Sequence, residues 1–154
     1  MTKVSVIGAG TMGIGIAQIA ATNKHEVCVY DAVDDAIENA HSRLQKILDR
    51  LVEKEKITQE ENQAISGRIN FSKKLSDIKG SALIIEAIIE SLEIKRQVFA
   101  EIESLVDNDC IIASNTSSLS IASIASACKK PERVVGTLFF NPAPLMPLVE
   151  IIPA

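Results

Sequence analysis

A chain of 154 residues with 47% hydrophobic and 23% charged side chains, 7 Gly and 5 Pro has the make-up of about one folded domain and excludes general disorder. Sixteen basic against twenty acidic side chains leave a net charge of −4 with no basic block, which excludes the electrostatic footprint of a nucleic-acid binder. Cys28, Cys110 and Cys128 are widely spaced and form no C-x-x-C pair, so neither a disulfide framework nor a thiolate metal site is indicated; without an apolar run of bilayer length or a signal-like N-terminus, the expected compartment is cytoplasmic and no membrane partner is expected.

In chain order, Val4–Ile7 is a β-branched strand that ends at a glycine cluster, and Ile14–Ala21 continues as a helix. Glu26–Tyr30 is the next strand; Asp34 and Asp35 can then cap a long helix running to about Lys54. Thr58 and Glu61 have the spacing of a capping box for a short helix, followed by a brief strand at Arg68–Phe71. Ala82–Glu86 is a buried strand, and Ile94, Val98, Ile102 and Leu105 give Leu92–Val106 a helical period. Cys110–Ala113, Val134–Leu138 and Leu148–Ile152 read as further strands, with a helix at Ile121–Ala127. This alternation predicts an α/β fold, a mostly parallel sheet with helices on both faces. Aromatic residues, at 3%, offer no stacking platform for bases.

Gly8-Ala-Gly10-Thr-Met-Gly13 is G-x-G-x-x-G, a weak pattern alone. Here it follows a strand, opens a helix and is followed by Asp31 at the end of the second strand, the full context of a Rossmann-type doubly wound dinucleotide site. Gly8 permits the sharp turn, Gly10 lets a pyrophosphate approach bare backbone, and Gly13 allows close packing of helix on strand. Asp31 would accept hydrogen bonds from a ribose diol and repel a 2′-phosphate, and Ala32–Asp35 contains no cation to receive one, so the pattern favours NAD over NADP. The alternatives are a structural tight turn with Asp31 as a helix cap, or a flavin on the same pattern.

Two polar stretches, Ala113-Ser-Asn-Thr-Ser-Ser-Leu-Ser120 and Phe139-Phe-Asn-Pro-Ala-Pro-Leu-Met-Pro-Leu-Val-Glu150, follow strands whose C-terminal ends should face the ligand crevice. With Ile85-Glu-Ala-Ile-Ile-Glu90 and Lys95, they closely resemble the N-terminal NAD-binding domain of the L-3-hydroxyacyl-CoA dehydrogenase family, from Lys3 to about Ile152. The resemblance implies that Gly8, Gly10, Gly13 and Asp31 hold the dinucleotide and that Glu90 and Lys95 contact it. It implies that Ser117 bonds the substrate's 3-oxygen beside the cofactor, that Asn141 lies near the nicotinamide, and that Glu150 orients a catalytic histidine. Lys54 aligns with a lysine that meets the coenzyme A phosphates, making an acyl-CoA the implied substrate.

Two departures qualify this. Where the family has His-Phe-Phe-Asn-Pro, this chain has Leu138-Phe-Phe-Asn-Pro142, and leucine has no lone pair to take the substrate's O–H proton. His25 and His41 offer no replacement and read as surface residues. The family also continues into a helical C-terminal domain and a homodimer, so the expectation is a single NAD-binding domain over residues 1–154, with apolar surface near Pro142–Ile152 left uncovered. Simpler readings stay open for three residues. The Ser117 stretch could owe its hydroxyls to helix capping, with Ser118 or Ser120 as cap; Glu150 could face solvent on an edge strand; Lys95 could sit on a solvated helix face. At the level of function, the alternatives are a binding module that holds NAD and acyl-CoA without turnover, or a related dehydrogenase acting on a free hydroxy acid.

Overall fold

The computed structural model describes all 154 residues. Seven strands, β1 (Lys3–Ile7), β2 (Glu26–Tyr30), β3 (Ile69–Ser72), β4 (Leu83–Glu86), β5 (Ile111–Ser114), β6 (Val134–Phe139) and β7 (Val149–Pro153), form one sheet in the order β3-β2-β1-β4-β5-β6-β7. All neighbours are parallel except β7, which returns antiparallel to β6. Five helices join them: α1 (Thr11–Thr22), α2 (Asp34–Glu53), α3 (Gln59–Gly67), α4 (Leu92–Leu105) and α5 (Ile121–Ala125). The chain reverses its direction of travel across the sheet between β1 and β4, which opens a crevice at the carboxyl ends of the strands.

The parallel strands read as continuous apolar runs because both faces are covered. Alternation along β1 sends Val4 and Val6 into one core with Ile14, Ala17, Leu44 and Leu48, and Ile7 into the other with Ile84, Phe99, Ile102 and Ile112. The capping box forms as expected: Thr58 Oγ1 accepts from the Glu61 amide at 3.1 Å, and Glu61 Oε2 from the Thr58 amide at 2.7 Å.

Three expectations need correction. Asp34 and Asp35 do not cap α2; they lie inside its first turn, where their charge suits the helix dipole, and Val33 holds the cap position without a side-chain bond. Helix α5 stops at Ala125, because the Ala127 and Cys128 amides bond to carbonyls only three residues back and close separate turns. In α4 the buried face is Lys95, Phe99 and Ile102, whereas Ile94 is exposed and Val98 and Leu105 are half-buried. The inward face is thus rotated by about one residue, because an ammonium takes a core position. Strand β7 lies at an edge with all five residues exposed, and the apolar surface expected there is found at Leu145, Met146, Leu148 and Ile151.

Candidate cofactor and active site

The glycine turn is built on backbone contacts that no side chain could share. Gly8 has φ +108°, and a Cβ there would stand 2.5 Å from the Ala87 carbonyl oxygen; at Gly13 a Cβ would meet the Gly8 oxygen at 1.9 Å. At Gly10 a Cβ would meet nothing within 4 Å. The bare backbone of Gly10 therefore faces open space at the start of α1, a helix with no side-chain cap, where free amides and the positive dipole end suit a pyrophosphate. The turn fits a dinucleotide.

Asp31 is fixed beside it. Its Oδ2 accepts from the Ala9 amide at 2.8 Å and its Oδ1 from the Val33 amide at 2.9 Å, which leaves each oxygen a further lone pair for a ribose hydroxyl. Asp31 ties the glycine turn to the end of β2 and does not occupy the cap position of α2. It lines a cavity of about 570 Å³ that also takes in Gly10, Tyr30, Ile94 and Val98. The apolar period of α4 that points away from the core is thus turned toward this cavity.

Beyond β4 and β5 lies a charged network. Glu86, wholly buried, accepts from Lys95 Nζ at 2.6 Å, from Ser114 Oγ at 2.6 Å and from the Ile88 amide at 2.7 Å. Lys95 Nζ also lies 3.5 Å from Glu90 Oε1 and donates to the Ile88 carbonyl at 3.3 Å. Glu90 Oε2 accepts from Thr116 Oγ1 at 2.6 Å and from Ser118 Oγ at 3.0 Å. Burial is the largest influence on Glu90 and raises its pKa. The Thr116 hydroxyl, the Lys95 charge and the Ser118 hydroxyl together outweigh it and hold the carboxyl below its ordinary value. The Lys95 side chain is 1% exposed and that of Glu90 47%, so Lys95 is no solvated residue and Glu90 is the member of the pair open to a ligand. Lys95 reaches the crevice only by its contacts with Glu90 and the Ile88 carbonyl.

Glu86, Ser114 and Thr116 were not singled out by the sequence. The signal for Glu86 was its place at the end of an apolar strand, nine residues before a lysine.

The same network orders the loop after β5. The Asn115 amide bonds to the Glu86 carbonyl at 2.8 Å, and Asn115 Oδ1 accepts from the Phe139 amide at 2.9 Å, tying this loop to the end of β6. Ser120 caps α5 by accepting from the Ser123 amide, while Ser117 is exposed and free of such a role. Across β6 and β7, Leu138 stands directly opposite Glu150. Leu138 is half-buried, and Glu150 is exposed because its strand is the sheet edge. His25, half-buried, sits just before β2 at the far end of the strands, and His41 packs edge-on against Phe71 at 5.5 Å. Neither joins the site.

Lys54 follows the last residue of α2 and lines a cavity of about 430 Å³ with Arg43, Lys46 and Arg50, whose spacing puts all four cations on one helix face. Asn141 lines the opposite wall, and Arg43 donates to Thr11 Oγ1 at 3.1 Å. Only Lys54 of these four cations was picked out from sequence. The others are spread over a charged helix surface and become a group only once its partner wall is known.

An open sheet in this order, with a bare glycine turn at the reversal point and a fixed acid at the end of β2, defines a Rossmann-type dinucleotide-binding domain. Residues 3–154 match the family described as 3-hydroxyacyl-CoA dehydrogenase, NAD binding domain, and the chain belongs to that family, whose cofactor is NAD. It is 41% identical over 151 residues to a 3-hydroxybutyryl-CoA dehydrogenase of Mycobacterium tuberculosis, covering 97% of this chain and 53% of the relative. Against a 3-hydroxybutyryl-CoA dehydrogenase of Clostridioides difficile the identity is 43% over 150 residues, with the same coverage of 97% and 53%. The crystal structure of the 3-hydroxybutyryl-CoA dehydrogenase of Escherichia coli K12 superposes with a TM-score of 0.95 at 39% identity, covering 97% of this chain and 32% of that one. The chain spans about half the length of the curated relatives it matches. No helix is long and apolar enough to cross a membrane.

Proposed function

We propose that the chain is the cofactor half of a cytoplasmic, NAD-dependent dehydrogenase that converts 3-hydroxyacyl-CoA to 3-oxoacyl-CoA in fatty-acid or related acyl-CoA metabolism. In this reading a helical C-terminal domain and a homodimer complete the enzyme, and the helices cover the apolar surface around Leu145 and Ile151. The observation that carries the reading is that Asn141 and the four cations of α2 share one cavity, so the reacting end and a phosphate-bearing end of one substrate have adjoining places. A free hydroxy acid would leave that cationic face without a ligand.

When bound, NAD supplies the hydride acceptor. Gly10 and the α1 amides hold its pyrophosphate, Asp31 its adenosine ribose, and Glu90 the crevice wall on the nicotinamide side. Ser117 and Asn141 orient the substrate oxygen. The proton of the substrate hydroxyl must reach a base, and position 138, opposite Glu150, is where a histidine would take it. Leu138 cannot, so turnover of this sequence is impaired. The second reading, a module that binds NAD and acyl-CoA without efficient chemistry, is favoured by that one residue.

Two results are expected from binding. Calorimetric titration gives tighter binding of NAD(H) than NADP(H), because the Asp31 carboxylate faces the additional phosphate; equal affinities remove the role of Asp31. Replacing Arg50 and Lys54 together by alanine weakens coenzyme A binding by roughly five- to thirtyfold, as expected for two exposed charge contacts. Pantetheine, which lacks the nucleotide phosphates, is unaffected by the same change. An unchanged coenzyme A affinity removes the α2 face from the substrate site.

A further inference from the structure

We propose that Glu90 sets the preference of this domain between oxidised and reduced cofactor, by presenting the one net negative charge of the Glu86–Lys95–Glu90 group on the nicotinamide side of the crevice. This rests on the reading of the crevice as an NAD site and adds to it a determinant of redox-state affinity.

Placement comes first. In a doubly wound sheet the β1–β3 half receives one nucleotide and the half beginning with β4 receives the other. Asp31 and its cavity mark the adenosine half. The segment after β4 starts hard against the glycine turn, since the Ala87 oxygen is the atom that a Gly8 Cβ would strike. Three residues later Glu90 is hydrogen-bonded to Thr116 and Ser118, in the loop that follows β5. Its carboxylate therefore stands past the reversal point, on the side of Ser117.

Charge comes second. Glu86 and Glu90 carry two negative charges, Lys95 one positive, and no other cation is bonded within the group. The ammonium lies 2.6 Å from buried Glu86 and 3.5 Å from Glu90, so its closer compensation goes to the carboxylate that water cannot reach. One net negative charge remains, and it is at the exposed member. Two hydroxyl donors on Oε2 hold that carboxylate in place and favour its ionised form.

The consequence follows from the chemistry of the cofactor. The oxidised nicotinamide ring is cationic and the reduced ring is neutral, while the ribose, pyrophosphate and adenosine contacts are common to both. A fixed anion near the ring therefore separates the two forms, and contacts in the adenosine half do not. For a unit charge about 6 Å away at an effective dielectric between that of a protein surface and water, the difference is roughly three- to a hundredfold in relative affinity.

The test titrates the chain with NADH by fluorescence, then displaces NADH with NAD+, and compares the ratio of dissociation constants. Glu90→Gln, which keeps the shape and removes the charge, should move the ratio toward NADH by roughly three- to a hundredfold. Glu90→Asp, which keeps the charge, should leave the ratio near that of the parent even if both affinities fall. Asp31→Asn should weaken both forms alike. If both forms bind and the ratio is the same in Glu90→Gln as in the parent, this inference is wrong and the NAD site stands. If neither form binds the parent, the NAD reading itself fails and takes the inference with it.

Discussion

Leu138→His, in this chain joined to the helical domain of a relative, is expected to raise NADH formation from a short 3-hydroxyacyl-CoA by about 10²- to 10⁴-fold, the gain associated with a positioned general base. The register supports this: residue 138 faces Glu150 directly across an antiparallel pair, where opposed side chains on one face are near neighbours. An imidazole there would have a carboxylate beside it to stabilise the imidazolium formed when it takes the proton. Glu150→Gln added to Leu138→His should therefore lower the restored rate again. The new side chain fits a half-buried position, so the change should not disturb the fold. Robust turnover by the Leu138 form would mean that another group accepts the proton.

Lys95→Met is expected to destabilise the domain by about 3–5 kcal/mol, because it strands a buried carboxylate without its counter-ion. Glu86 is wholly buried and would retain only the Ile88 amide and the Ser114 hydroxyl as donors. Against the roughly 5–15 kcal/mol of stability usual for a domain, that loss is large. Lys95→Met combined with Glu86→Gln should recover much of it, since no charge is then left buried. Urea unfolding of the three proteins measures both effects. A single variant as stable as the parent would show that Lys95 does not compensate Glu86.

The dinucleotide half of the site was legible in the sequence because its requirements are local. A glycine turn between strand and helix, and an acid at the end of the next strand, are fixed by spacing along about thirty residues. Glu86 and Lys95 were harder to read for the opposite reason. A carboxylate closing an apolar strand and a lysine on an amphipathic helix each look solvated until the other is placed beside it. The rotated face of α4 has the same origin: periodicity takes Ile94 and Val98 as core and Lys95 as surface, whereas the ion pair draws Lys95 inward and leaves Ile94 and Val98 to a ligand cavity. Glu150 shows the converse. It sits in an apolar run, yet Val149 and Ile151 are exposed along with it, because β7 is the edge strand. The register that sets Glu150 against Leu138 depends on the turn through Ala143–Leu145 and could not be read from a spacing alone.

Binding of NADH by Gly10→Val shows whether the open glycine turn holds a dinucleotide. Gly10 has φ −74° and ψ −173°, an extended conformation that valine adopts without strain, and a Cβ there meets nothing within 4 Å. The variant should therefore melt like the parent, while its side chain fills the space that the pyrophosphate needs. Saturable NADH fluorescence enhancement is expected in the parent, and its loss in a folded Gly10→Val protein. Undiminished binding by that folded variant would contradict a dinucleotide site at the turn.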